Sequence, residues 1–329
     1  MGSYLMNDMI LTPSLLVFVI LYFYRFIIVM RRDDWFLVWF GLEVNILRFL
    51  FLIFRQGRVR LSESCIKYFF IQRIGSVIFV CMVYILDISY NYLVRVVLGY
   101  KLGIGPFFFW FPSIIEGVGW FGGFLLISIQ KVIPLMLLVM FMRWVIWVLV
   151  MVRLVVGVLG SFNQRKCKIL FAYSSIHHIG WMLMCELVDK GIWLIYLLMY
   201  AVALILVVIL VYNYNINEFI EVWKLRNREW LVMSFLGIAG MPPILGFFLK
   251  WIAFMYFLKV RYIILIYIII MSVIIMYVYI RVVYDVIIGG MLKARWYRGR
   301  YMRLFVVSMD FVIVLRTLLG VMVGLVLVL

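Results

Sequence analysis

Leu98–Ser113 reads LGYKLGIGPFFFWFPS and Gly237–Trp251 reads GIAGMPPILGFFLKW. Both stretches are apolar enough to continue a membrane helix, and both contain the residues that stop one. Proline removes a helical hydrogen bond and clashes with the preceding turn. Gly103, Gly105 and Pro106 are therefore expected to break the first helix, and Gly240, Pro242 and Pro243 the second. A lysine lies close to each break, Lys101 before the first and Lys250 after the second. One such interruption would read as a packing kink. Two of them, far apart and each carrying a lysine, form the pattern of a transporter built from inverted repeats. Irregular backbone at membrane depth survives only where protein or a watery cavity surrounds it.

The rest of the chain agrees with lipid as solvent. Of 329 residues, 68% are hydrophobic, against about 45–50% in soluble domains, and the mean hydropathy is +1.19. Eleven apolar segments are long enough to span, at roughly 9–30, 35–54, 68–86, 92–111, 121–141, 144–160, 169–186, 192–213, 231–256, 262–286 and 305–329. Connections between them are short, so residues 1–329 form one all-α transmembrane bundle with no inserted soluble domain. The runs are longer than the alternating strands of about ten residues that build membrane barrels. No cleavable leader is expected, since the amino-terminal residues lead directly into an apolar segment.

Lys and Arg number 31 against 14 Asp and Glu, a formal net charge of +17. The basic residues cluster between apolar segments, as membrane-flanking loops require, so nucleic acid is not an expected partner. Let each connection be numbered by the segment it follows. Even connections carry fifteen Lys and Arg, including Arg55, Arg58, Arg60, Arg165, Lys166, Lys168, Lys224 and Arg226, and odd connections carry six. This asymmetry places the even connections and the amino terminus on the inner side. The odd helix count then puts the carboxyl terminus opposite. Cys65, Cys81, Cys167 and Cys185 lack metal-ligand spacing and read as buried free thiols, and the two histidines, His177 and His178, are too few for a metal or redox centre.

A charge at the bilayer centre costs roughly 2.5–3.5 kcal/mol, so ionisable residues there are functional candidates. Glu43 lies in mid-segment in WFGLEVNILRF, and Lys131 is central in LLISIQKVIPLMLL. Lys101 and Lys250 flank the breaks. An amine removed from water holds its charge less firmly, while a nearby carboxylate favours that charge, so the two together can act as a protonation switch. His178, in FAYSSIHHIGW, has the ring chemistry of a proton relay; His177 faces away from it and is the weaker candidate. Arg25, Arg48, Arg73, Arg95 and Arg153 read as snorkelling or protein-contact residues, because arginine keeps its proton. Glu186 and Asp87 fall at segment ends and are expected in water.

Several of these blocks, in this order, resemble the NADH–ubiquinone oxidoreductase chain 2 family, the mitochondrial antiporter-like subunits of respiratory complex I. They are WFGLEVN, KLGIGPFFFWFPSIIEG, LLISIQKVIPL, ILFAYSSIHHIGW and GIAGMPPILGFFLKW, which run from about residue 39 to 251; residues 257–329 match in hydropathy alone. The resemblance implies two inverted five-helix repeats, about 9–141 and 144–286, with the fourth helix of each broken, and a last helix at 305–329. It implies a multi-pass protein of the mitochondrial inner membrane, with the amino terminus in the matrix and the carboxyl terminus in the intermembrane space. Its partners would be the other membrane-arm subunits of complex I and lipid. No cofactor would sit on this chain; NADH, FMN, iron–sulfur clusters and ubiquinone would belong to the parent complex. In roles, Glu43 would be the switching carboxylate, Lys101 its ion-pair partner, Lys131 the central relay, Lys250 the terminal lysine and His178 a support for the water chain. The chain departs from the family pattern at Phe108, where histidine is usual, and at Ser113, where an acid is usual; Glu116 stands near enough to substitute for the second. The alternatives are a sister chain of complex I, a cation/proton antiporter subunit, and a membrane scaffold.

Overall fold

A computed structural model describes residues 24, 29, 35–54, 59–85, 91–103, 107–138, 143–188, 191–214, 216–222, 228–241, 244–257 and 262–293. Apart from Tyr24 and Val29, the segment expected at 9–30 lies outside the described residues, as do the segment at 305–329 and Gly105, Pro106, Pro242 and Pro243.

The described residues form helices and no named strand: α1 (Trp35–Ile53), α2 (Val59–Ile85), α3 (Asn91–Leu102), α4 (Trp110–Gly117), α5 (Trp120–Ile127), α6 (Val132–Leu138), α7 (Arg143–Ser161), α8 (Cys167–Val188), α9 (Ile192–Asn213), α10 (Phe219–Val222), α11 (Arg228–Ala239), α12 (Leu245–Phe257) and α13 (Tyr262–Lys293). Among the described residues, five spans are long and apolar enough to cross a membrane: Trp35–Ile53, Val59–Tyr84, Trp120–Leu138, Ile192–Asn213 and Leu265–Tyr284.

The polarity of these helices is inverted relative to a soluble protein. α1 turns Glu43, Asn45 and Arg48 inward and leaves Phe36, Phe40, Leu47 and Phe51 exposed. α9 buries Tyr196 and Tyr200 while Leu194, Ile195, Leu198 and Val202 face out. Water would penalise that arrangement; hydrocarbon favours it, since the costly groups are the polar ones.

α8 is the centre of the bundle, buried along almost its whole length. It packs most closely on α7, where three glycines remove the side chains that would hold the helices apart. A Cβ on Gly157 would stand 2.8 Å from the His177 nitrogen, one on Gly160 would enter the Tyr173 ring, and one on Gly180 would lie 2.8 Å from Leu154. Small residues at such crossings let backbones approach and gain packing that lipid cannot supply.

Both expected breaks are present. α3 stops at Gly103, whose φ of +68° favours glycine, and the chain resumes helically at Trp110. The second half runs on to Gly117, past the expected end of that segment at 111. Pro112 is tolerated because it falls in the first turn of α4, where no helical donor is required. α11 stops at Gly240, φ +87°, and α12 begins at Leu245. A third interruption falls where an unbroken helix was expected at 121–141. α5 ends at Ile127, Ile129–Lys131 is a 3₁₀ turn, and α6 follows. Pro134 explains it. Its ring excludes a normal helical turn against the carbonyl of residue 130, so the preceding turn tightens and Lys131 N–H bonds to Ser128 O at 3.3 Å.

The even connections gather at one end. Cys167 N–H donates to Asn217 O and Phe219 N–H to Arg165 O. Lys166 pairs with Glu116, and Lys168 Nζ donates to Val118 O at 2.8 Å. Gly117 sits against Ser64 and the Arg60 carbonyl. Cys65, Cys167 and Cys185 are buried free thiols as expected, while Cys81 is exposed on the outer side of α2.

Candidate functional site

Three interrupted helices, α1 and α8 bring the sequence candidates into the bundle interior. Lys101 closes α3, and its stem lies on Gly75 of α2; a Cβ there would stand 2.9 Å from the lysine Cγ. Its ammonium is buried and has no hydrogen-bond partner among the described residues. Gln72 donates to the Lys101 carbonyl at 3.0 Å, satisfying one acceptor that the break exposes.

Lys131, in the 3₁₀ turn, is also buried. Its ammonium donates to Ser175 Oγ at 3.1 Å and lies 4.4 Å from the centre of the Phe111 ring, a cation–π contact supplied by the second half of the broken helix. Lys101 and Lys131 line one small cavity with Asn45, Gln72 and Gln130. Its volume of about 20 Å³ exceeds the roughly 10–15 Å³ that one water needs.

Glu43 is buried on α1, but it does not hydrogen-bond to Lys101. Its Oε2 accepts from Arg73 Nη1 at 2.5 Å, and its Oε1 accepts from the Ser76 hydroxyl. The carboxylate's charge still acts on Lys101. Of the two readings of Arg73, snorkelling or protein contact, the structure shows the contact, with Glu43 as its partner.

His178 lies on α8 with Nδ1 hydrogen-bonded to the Tyr196 hydroxyl at 2.9 Å and its ring 4.4 Å from that of Tyr200. The charges of Lys131 and Lys250 both act on it. Lys250, on α12, donates to Ala239 O at 2.7 Å, and so caps the first half of its own broken helix. A Cβ on Gly240 would stand 3.0 Å from that ammonium. His177 accepts from the Trp181 indole N–H at 3.2 Å.

The two departures from the family pattern make local contacts. Phe108 packs on Phe109 and Tyr173, and the exposed Ser113 hydroxyl donates to Trp110 O. Glu116 is largely exposed and pairs with Lys166 at the loop end of the bundle, away from the lysines.

Residue chemistry alone did not single out Arg153. It is fully buried on α7, donates through Nε to Ile176 O at 2.9 Å and through Nη2 to Leu102 O at 3.2 Å, and its charge acts on Lys131. The signal was available in Gly157 and Gly160, which bring α7 against α8. Glu186, expected in water, is buried, because α8 remains inside the bundle to its last turn.

Buried amines, a buried carboxylate and broken helices define an antiporter-like membrane protein. Residues 32–94 and 84–275 match the family described as NADH:quinone oxidoreductase/Mrp antiporter, transmembrane, and the chain belongs to that family. Among its relatives, NADH-ubiquinone oxidoreductase chain 2 of Anopheles gambiae is 31% identical over 254 residues, covering 72% of this chain and 74% of that one. The same-named protein of Artemia franciscana is 30% identical over 234 residues, covering 70% and 76%. A chain of respiratory complex I from Thermus thermophilus, solved with bound aureothin, superposes with a TM-score of 0.70 at 23% identity, covering 89% of this chain and 74% of its own. A chain of the Mrp complex from Dietzia gives 0.63 at 16% identity, covering 77% and 56%.

Proposed function

We propose that this chain is a proton-translocating, antiporter-like membrane subunit of respiratory complex I, and that protons move along Glu43, Lys101, Lys131, His178 and Lys250. The observation that carries the reading is the placement of Lys101 and Lys131 on one water-sized cavity, with His178 under the charge of both Lys131 and Lys250. Amines held at such spacing change one another's protonation through charge, and a water between them supplies the path.

The chain's own residues hold, release and orient protons. Glu43 is shared between Arg73 and the field at Lys101, so a change that separates Glu43 from either redistributes charge along the row. Ser175 and Phe111 position the Lys131 ammonium, and Tyr196 fixes the His178 ring. Oxidation of NADH and reduction of quinone belong on this reading to other subunits, and this chain binds no redox cofactor. Its partners are neighbouring membrane-arm subunits and lipid, and its location is the mitochondrial inner membrane. Eleven helices in two inverted repeats, with the amino terminus in the matrix and the carboxyl terminus in the intermembrane space, are supported by the two glycine breaks and by the basic even connections.

The test is the purified complex carrying Lys131→Met, reconstituted in vesicles. NADH-driven proton uptake should be lost in a complex that still assembles. Normal pumping would sink the reading. A loss of assembly alone would favour a scaffold, and sodium-dependent exchange a cation antiporter.

A further inference from the structure

Among the buried charged residues outside that row, Arg95 and Glu186 are coupled to each other. Arg95, in the second turn of α3, is fully buried, and Glu186, in the last turn of α8, is 6% exposed. Each one's charge acts on the other. Yet neither carboxylate oxygen of Glu186 and none of the three guanidinium nitrogens of Arg95 has a hydrogen-bond partner among the described residues. A purely structural buried pair interlocks by direct hydrogen bonds, because the desolvation of two charges is otherwise uncompensated. Five orphaned polar atoms on two residues that feel each other's charge leave instead a demand for water or another polar partner at this place.

Their position in the bundle gives this a direction. Glu186 is two residues from the end of α8 and Arg95 four from the start of α3, or about 3 and 6 Å along the axis at ~1.5 Å per residue. Both helix ends open toward odd connections, the face opposite the Lys166–Glu116 cluster. Lys101 lies six residues deeper on α3 and His178 eight residues deeper on α8, which places the pair about 9–12 Å from the row, on the way to that face. Ser174, His178, Met182 and Glu186 follow one another at four-residue steps, a single ridge of α8. Tyr196, hydrogen-bonded to His178, is itself one turn from the same end of the bundle, on α9.

We propose that Glu186 is a proton-exchanging carboxylate linking the buried row to the membrane face carrying the odd connections, with Arg95 as its fixed countercharge. This rests on the row being the proton path. A proton released by the His178 imidazolium crosses water to the Glu186 carboxylate, giving the neutral acid and neutral imidazole. The acid then yields the proton to water at the face and becomes carboxylate again. Arg95 keeps its own proton throughout.

The experiment compares assembled complexes in vesicles, measuring protons translocated per NADH oxidised. Removing both charges together in Arg95→Gln/Glu186→Gln leaves no orphaned ion, so the bundle is expected to assemble. Its proton ratio should fall to the Lys131→Met level, and Glu186→Asp should restore it. A wild-type ratio in the double variant, with Lys131→Met deficient, overturns the role of Glu186 and leaves the row standing. Wild-type ratios in both overturn the row and this proposal with it. Equal deficiency in Glu186→Asp assigns the defect to packing and also overturns it. If the double variant does not assemble, the infrared difference spectrum of turnover decides: a carboxylic-acid band that Glu186→Asp shifts supports the proposal, and an unshifted spectrum refutes it.

Discussion

Arg73 is the residue at which the expected Glu43–Lys101 switch and the observed geometry part. It holds Glu43 at 2.5 Å with its side chain 47% exposed, while the carboxylate side chain is 8% exposed. Fully exposed pairs contribute about 0–1 kcal/mol, and breaking a buried pair costs about 3–5 kcal/mol. Both residues lie in mid-helix, where the half-exposed Arg73 side chain meets lipid and not water, so the pair falls between those limits, at about 1–3 kcal/mol. Arg73→Met leaves Glu43 with the Ser76 hydroxyl and the charge of Lys101. Glu43→Gln in the same chain removes the orphaned charge, so the double variant should recover most of what the single one loses. The assay is a double-mutant cycle on thermal inactivation of NADH oxidation in the assembled complex. A coupling of about 1–3 kcal/mol corresponds to roughly 5–150-fold in the ratio of rates. A second cycle, between Glu43→Gln and Lys101→Met, should show stronger coupling with Arg73 absent than present. Additive effects within about 0.5 kcal/mol in the first cycle, and an unchanged second cycle, would refute the idea that Arg73 competes for the carboxylate.

Arg153→Met should strand the Leu102 carbonyl at the end of α3, worth about 1–3 kcal/mol when buried without a donor, while Ile176 O, in the middle of α8, keeps its helical donor; Arg153→Lys should not rescue, since one ammonium lacks the fork that reaches both carbonyls. Native gels for assembled complex read this directly. Gly240→Ala forces a side chain into a φ of +87°, at about 1–2 kcal/mol, and crowds the Lys250 ammonium; proton transport should fall further than with Gly103→Ala, where the added Cβ meets nothing closer than 3.5 Å. Tyr196→Phe removes one hydrogen bond to His178, about 0.5–1.5 kcal/mol, and should slow proton transport in vesicles without reducing assembly.

Much of this was legible in the residues. Gly103 and Gly240 announced the breaks, because a helix cannot pass a left-handed residue followed by proline. Lys131 was readable as buried from its distance to either segment end. Pro134 also carried the third interruption, but its consequence, a 3₁₀ turn three residues upstream, depends on which carbonyl the ring displaces. Partner choice was not legible. Glu43 has Arg73 and Ser76 three residues apart on the facing helix, and only the α1–α2 packing decides that they, and not Lys101, take its oxygens. Glu186 was misplaced for a related reason. Position near a helix end suggests water, but α8 is covered by neighbours over almost its whole length, Glu186 included, and no local pattern records that.

The breaks and the buried charges are best understood as one feature. Each break creates a helix end inside the membrane, and a helix end exposes carbonyls that hydrocarbon cannot satisfy. The donors found there are charged or polar side chains: Arg153 on Leu102 O, Gln72 on Lys101 O, Lys250 on Ala239 O. The same carbonyl ends carry the negative pole of the helix dipole, which favours a cation beside them. A buried guanidinium or amine without a break would lack that compensation, and a break without the cation would leave orphaned carbonyls. Either change alone is costly, and that mutual dependence holds the lysines at mid-bundle. It also makes the geometry of the break an input to their charge. On the proposed reading, a shift of α12 against α11 would take the Ala239 carbonyl from the Lys250 ammonium or return it, and so couple the position of the helix halves to that amine's proton.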